Sequence, residues 1–249
     1  MLRLNESRIG GVITDAFAAR ASPSLVSTLH AQHATMIYAG LDSDVTVTGQ
    51  GSPPLRARIV VVPPEVPHAT LCPGPGIVLH HDPELAPEVA AYARQSGRAV
   101  PLEGRLAARV GGALHSHRAS LSRPDVLAGL ACESAAWFAE EAPRHKLDTR
   151  VAGVVEALRD PDVDRRPVLA KTRLSAAHLQ ALFVRDVGVP IRTYLLWRRL
   201  LVAIASCVRL DNTSAAHFAG FSDLAHLSRT CRRMLGYSPT LLRREFVSA

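Results

Sequence analysis

The chain has 249 residues, of which 47% are hydrophobic and 20% charged, with a formal net charge of +7. This is the composition of a globular protein with room for one large or two smaller cores. No apolar run approaches the roughly 18 residues of a membrane span, and the opening MLRLNESRIGG lacks the apolar stretch of a secretory signal, so a cytoplasmic location and no membrane partner are expected.

In chain order, the first 80 residues read as strands. TMIYAG (35–40), DVTVTG (44–49), ARIVVVPP (57–64) and GIVLHHD (76–82) are short and mostly rich in β-branched residues, and TGQGSPP and CPGPG separate them as turns. Strands at this spacing without helices between them predict an antiparallel sandwich or small barrel. After Asp82 the pattern changes. Pro83 and Glu84 open PELAPEVAAYARQSG, predicted as a helix closed near Gly97. Ser122-Arg123-Pro124-Asp125 opens another, with Val126, Leu127, Leu130, Ala131, Ser134, Trp137 and Phe138 on one side. A domain boundary is expected within EEAPRHK (140–146), before the helix DTRVAGVVEALR.

The last hundred residues contain a pattern that occurs twice. In RLSAAHLQALFVRDVGVP (173–190), Ser175 is an N-cap, Leu179, Leu182 and Phe183 form an apolar stripe, and Gly188 ends the helix. In GFSDLAHLSRTCRRMLGYSP (220–239), Ser222 or Asp223 caps, Leu227 and Cys231 form the stripe, and Gly236 ends it. Leu179 and Leu227 each lie nine residues before their glycine, and Phe183 and Cys231 each lie five before. Short helices, PVLAKTR (167–173) and TSAAHFA (213–219), precede the two copies. A short helix, a tight turn and a capped longer helix make a helix-turn-helix. A breaker-free helix over 190–209 is predicted to join the modules, and its twenty residues would span roughly 30 Å.

Charge follows the same division. Residues 1–146 hold 13 Lys and Arg against 13 Asp and Glu, whereas residues 147–249 hold 16 against 9. The entire excess of +7 therefore lies in the helical C-terminal part, as expected for a polyanion-binding unit. The four cysteines are scattered without a C-x-x-C pair, which predicts reduced, mostly buried thiols.

Residues 150–246 resemble the DNA-binding domain of the AraC/XylS family of bacterial transcription regulators. The resemblance rests on Leu174-Ser175, Leu179, Phe183 and Gly188, on Tyr194-Leu195 and Arg199-Leu200, and on Gly220-Phe221-Ser222-Asp223, Ser228-Arg229, Gly236, Ser238-Pro239 and Arg243. Leu227 and Cys231 stand where the family usually has aromatic residues, Ala225 where serine is common, and Ala215 where a larger aliphatic residue is usual. The second module's core is thus expected to be small.

The resemblance implies double-stranded DNA as partner, read in the major groove of a promoter or operator. It puts Ala177, Gln180 and Ala181 on the base-facing side of the first module, with Arg185 toward phosphate. In the second module Leu224, Ala225, Ser228 and Arg229 face the bases, with Arg232 and Arg233 beyond. Gln180 can pair with adenine N6 and N7, Arg229 can pair with guanine O6 and N7, and the alanine methyls can meet thymine methyls. Arg198 and Arg199 are either interdomain ion-pair partners or backbone contacts, and Trp197 is expected in the core.

The strand-rich half contains LHAQHATMIYAG (29–40) and VVPPEVPHATL (61–71), and on these it resembles the cupin-like sensor at the N-terminus of many such regulators. The resemblance puts His30, His33, Tyr38, His68 and His80 around an effector site. The three imidazoles of His30, His33 and His68 could make a metal site. The His-x-x-His spacing, however, puts the first two on opposite faces of a strand, and the usual glutamate ligand is absent. A polar effector pocket or structural histidines are therefore expected, with no metal and no cofactor. His115 and His117 are expected at the surface.

The expected fold class is α+β in two domains. A β-rich cupin-like barrel or sandwich (1–83) leads into helices that dimerise or relay (84–146). An all-α domain (147–249) follows, with two helix-turn-helix modules joined by a long helix. The expected function is a sequence-specific, effector-controlled transcription regulator and not an enzyme, acting as a homodimer with RNA polymerase as a further partner. G-x-S-x-G, P-loop, G-x-G-x-x-G and H-E-x-x-H motifs are all missing. Two alternatives stay open: a regulator whose N-terminal half only dimerises, and a cupin-type metalloenzyme with a DNA-binding tail.

Overall fold

The computed structural model describes residues 10–14, 17–141, 146–160, 163–207 and 209–241. Most of the expected 140–146 boundary, and Arg243, lie outside these residues.

Among the described residues, ten strands form two antiparallel sheets. The larger is ordered β1 (Gly10–Ile13), β2 (Phe17–Ser22), β9 (Gly76–His81), β4 (Thr35–Gly40), β7 (Ile59–Val62), β10 (Val100–Pro101). The smaller is ordered β3 (Leu25–His30), β8 (His68–Cys72), β5 (Val45–Gly49), β6 (Leu55–Ala57). The four strands expected from β-branched runs are present as β4, β5, β7 and β9. Strands such as FAARAS and HATLC escaped notice because their residues are small or polar.

The larger sheet is covered on both faces, which explains why TMIYAG and IVVV are apolar without alternation. Met36, Tyr38, Val60, Val62 and Val78 face the smaller sheet and pack with Leu25, Val45, Val47 and Cys72. The alternate set, Ile37, Ala39, Val61, Ile77 and Leu79, faces three helices instead. These are α1 (Pro87–Arg94), α2 (Gly104–Ser116) and α3 (Pro124–Glu141), whose Val89, Leu106, Val110, Leu127 and Phe138 complete that core. His115 and His117 are exposed at the end of α2.

The helix expected from Pro83 starts four residues later, at Pro87. The carbonyl of Asp82 accepts from the amides of Leu85 and Ala86, so 82–86 is a turn. That turn holds the Asp82 and Glu84 side chains inside the protein.

The C-terminal part comprises α4 (Thr149–Leu158), α5 (Arg165–Lys171), α6 (Ala176–Val187), α7 (Ile191–Ser206), α8 (Asn212–Phe218) and α9 (Leu224–Leu235). Ser175 caps α6 by accepting from the His178 amide, and Asp223 caps α9 by accepting from the His226 amide. Gly188 and Gly236 end these helices in the left-handed conformation, at φ 95° and 75°. The matched register read in the sequence is therefore a matched pair of helices.

The joining helix is shorter than expected. α7 has 16 residues, roughly 24 Å, because Cys207 closes it and a turn at Arg209 and Leu210 follows. In the second module, Trp197, Phe221 and Met234 pack with Leu227 and Cys231, supplying bulk where the aromatic residues of the stripe are absent. All four cysteines are free, and only Cys132 is exposed.

Gly188 and Gly236 share a backbone conformation but face different surroundings. A Cβ at Gly188 would meet the guanidinium of Arg94, a side chain that can move. A Cβ at Gly236 would meet the Thr28 carbonyl oxygen at 2.7 Å, His30 Nδ1 at 2.9 Å and Ser27 Cβ at 3.0 Å. We expect Gly188→Ala to cost about 1–2 kcal/mol from left-handed strain. Gly236→Ala should cost clearly more, since backbone must also shift. Chemical denaturation of both variants checks the ranking, and equal losses would contradict it.

Candidate nucleic-acid interface and effector site

The two capped helices α6 and α9 bury one stripe each and expose the other. On α6, Leu179, Leu182, Phe183 and Val187 are buried against Val151, Val154, Val155 and Leu158 of α4 and Tyr194 of α7. Ala177, Ala181 and Arg185 are exposed and Gln180 is half-buried. On α9, Ala225, Arg229, Arg232 and Arg233 are exposed, and Leu224 and Ser228 are half-buried. Every residue expected to meet DNA thus retains some exposed surface, although Leu224 also packs against the second module's core.

The two faces differ electrostatically. Arg185 is held by Asp186, with Nε 2.6 Å from Oδ1. Asp186 is 2% exposed and also accepts from the Asp148 amide at 2.7 Å. The guanidinium of Arg185 thus compensates a buried carboxylate. On α9 Arg229 acts on the cap Asp223, whose carboxyl lies below its usual range. The first cause is the His226 amide; Arg229 contributes less.

Of the expected effector residues, the structure brings four together inside the β domain. Tyr38 Oη lies 2.9 Å from His68 Nε2, and the His30 and His68 rings are 4.3 Å apart. His80 Nδ1 lies 3.2 Å from Gln32 Nε2. Burial pushes His30 below its usual value. His68 falls to about 3, by burial and then by His30; His80 falls to about 3, by burial and then by Arg20. These imidazoles are neutral at physiological pH.

Arg20, unnoticed in the sequence, stands across Val78 from Tyr38 in the sheet and is 5% exposed. Its Nη2 donates to Tyr237 Oη at 2.9 Å. Tyr237 belongs to the GYSP segment after α9, so the second module reaches into the β domain. The Gly236 carbonyl accepts from Thr28 Oγ1 at 3.0 Å, and the Arg233 carbonyl from the Ala31 amide at 3.1 Å.

His33 goes elsewhere. The chain leaves β3 after His30, and His33 Nε2 pairs with Glu84 Oε2 at 2.7 Å, both side chains fully buried. Its ring meets Tyr194 and Trp197 edge-on, at 5.7 and 6.2 Å. Trp197 Nε1 donates to Asp82 Oδ1 at 2.9 Å, and Arg198 lies 3.9 Å from the same carboxylate. Burial opposes charge on His33, but Glu84 raises it above its ordinary value. Burial and then Glu84 push Asp82 up to about 7. Of the two roles left open for Arg198, the structure shows the interdomain pair; Arg199 instead packs near Gly220. Nothing local in the sequence pairs Asp82 with a residue 115 positions away.

Among the described residues, no group of three or more His, Cys, Asp or Glu is arranged to hold a metal ion. No described helix is long and apolar enough to cross a membrane.

A family of helix-turn-helix domains matches residues 168–245, from within α5 to beyond the end of α9. Comparison with curated proteins returned no match. Among solved structures, ToxT from Vibrio cholerae strain SCE256 with a bound unsaturated fatty acid is similar at a TM-score of 0.56 and 10% identity. That match covers 100% of this chain and 99% of the other. ToxT from Vibrio cholerae O395 bound to (E)-4-(8-methylnaphthalen-1-yl)but-3-enoic acid gives 0.57 and 10%, covering 92% and 99%. The likeness extends over both halves and shows a shared two-domain fold. With their paired, capped helices, residues 168–245 are a helix-turn-helix domain, set behind an antiparallel β domain.

Proposed function

We propose that this chain is a sequence-specific DNA-binding transcription regulator whose β domain takes a small-molecule effector. The observation that carries the reading is the pair of recognition helices, α6 and α9, each capped, packed by one stripe and exposed on the other. Recognition helices of such modules enter the major groove with their N-terminal residues toward the bases. Ala177, Gln180 and Ala181 serve the first module, and Leu224, Ala225, Ser228 and Arg229 the second, with Arg232 and Arg233 toward phosphate. Arg185 acts mainly within the protein, through Asp186. With few hydrogen-bonding groups on these faces, methyl contacts and DNA shape carry much of the specificity. A homodimer engaging RNA polymerase, with 84–146 as interface or relay, fits this role, and no enzymatic step is assigned.

The effector site is the interior around His30, Tyr38, His68 and His80, joined by Arg20. Neutral imidazoles beside a buried guanidinium favour an organic acid, whose carboxylate Arg20 would hold. The two ToxT ligands named above are both organic acids. His33 belongs instead to the interdomain contact. Because Tyr237 touches Arg20, an acid bound there would be felt at the end of α9.

Selection of bound duplexes from a random pool tests DNA binding directly. On the selected site, Arg229→Ala should weaken binding by about 1–3 kcal/mol and relax one base position, with little change on random DNA. Equal weakening on both would make Arg229 a phosphate contact. In thermal-shift assays, medium-chain fatty acids should raise the melting temperature of the wild type and leave Arg20→Met unmoved. An equal rise in the variant would remove Arg20 from the site.

A further inference from the structure

Between α5 and α7 lies an open cleft of about 500 Å³. Its floor is aliphatic, made by Leu169, Ile191 and Leu195, and its rim carries Arg165, Arg166 and Arg192. All three arginines are exposed. The acid at the rim, Asp164, is already engaged. It accepts from the Arg166 amide at 3.1 Å, capping α5, and lies 3.4 Å from Arg166 Nε. The cleft therefore keeps an excess of positive charge over a surface that is not polar.

The first module needs that charge for a reason visible in its recognition helix. Arg185 is the only Lys or Arg within α6, and it is bound to Asp186. α9, by contrast, carries Arg229, Arg232 and Arg233 on its own exposed face. Phosphate contacts set the orientation of a reading helix on the duplex, and α6 has little of its own to make them with. In a helix-turn-helix, the first helix crosses the sugar-phosphate backbone while the second lies in the groove. α5 is that first helix, and Arg165 and Arg166 begin it.

We infer that this cleft is the phosphate grip of the first module. Arg165, Arg166 and Arg192 would hold backbone phosphates beside the groove that α6 enters, and Leu169, Ile191 and Leu195 would face deoxyribose. The two modules then anchor differently, the second through its recognition helix and the first through the helices on either side of it. These arginines are positioning residues, and the inference rests on the DNA-binding reading above.

The test is the salt dependence of binding by the full-length chain, on the selected duplex and on a random duplex. The Arg165→Ala, Arg166→Ala, Arg192→Ala triple variant should lose affinity by the same factor on both, at least about tenfold at ~0.15 M salt. The slope of log affinity against log salt should fall by roughly 2–3, at about 0.9 per phosphate released. The corresponding triple lysine variant, which keeps the charge, should retain most of the slope, and that separates a lost grip from a misfolded module. An unchanged slope in the folded alanine variant overturns the inference while leaving the DNA-binding reading intact. A loss confined to the selected duplex also overturns it, because it would mark base contacts. A wild-type chain that binds neither duplex overturns both readings.

Discussion

The hydrogen bond from Trp197 to Asp82 joins the two halves of this protein at a point where neither partner reaches water. Around it lie His33, Glu84, Tyr194 and Arg198, so that with Asp82 the cluster holds four acidic or basic groups, Asp82, Glu84, His33 and Arg198. Buried charges are tolerable only when paired and hydrogen-bonded, because each costs several kcal/mol to desolvate. Here the two acids come from the turn after β9, His33 from the loop after β3, and Arg198 and Trp197 from α7. Separating the halves would leave Asp82 without Arg198 and Trp197. The contact is thus sensitive to geometry in a way that an apolar interface is not.

This makes α7 the part through which the molecule is coordinated. Tyr194 closes the first module's core, while Leu200, Leu201 and Ile204 help to close the second. Ala34 of the β domain packs into that second core. A second tether, Arg20 to Tyr237 with Gly236 against β3, fixes the end of α9 beside the proposed effector site. A change in the β domain can therefore bias the reading heads without any long relay, provided that effector binding favours one docked arrangement over another.

What was legible in the sequence was local. Ser175, Asp223, Gly188 and Gly236 mark helix ends by chemistry confined to a few residues, and the apolar stripes repeat at helical spacing, so both modules and their common register could be read directly. Trp197 read as core for the same reason. Pro83 and Glu84 misled, because an acid beside proline is a good helix start, whereas the partners that hold Asp82 and Glu84 inside lie 115 and 51 residues away in the chain. Arg20 and Tyr237 gave no signal for the same reason. β2, β3 and β8 were obscured by alanine, serine and histidine, whose place in a sheet is decided by neighbours and not by propensity, and β1 by its two glycines. Of the histidines, His30, His68 and His80 gather with Tyr38, while His33 is turned across the chain to Glu84.

The coupling role of the buried cluster is tested most directly by amide hydrogen exchange along α7 in the wild type and in Asp82→Ala. If Asp82 holds α7 through Trp197 and Arg198, the variant should exchange faster across α7 and at Thr28 and Ala31, whose contacts to the second module depend on docking. α4, which packs within the first module, should keep its protection. Unchanged exchange at α7 would mean that the halves are held together without this cluster, and would contradict the account.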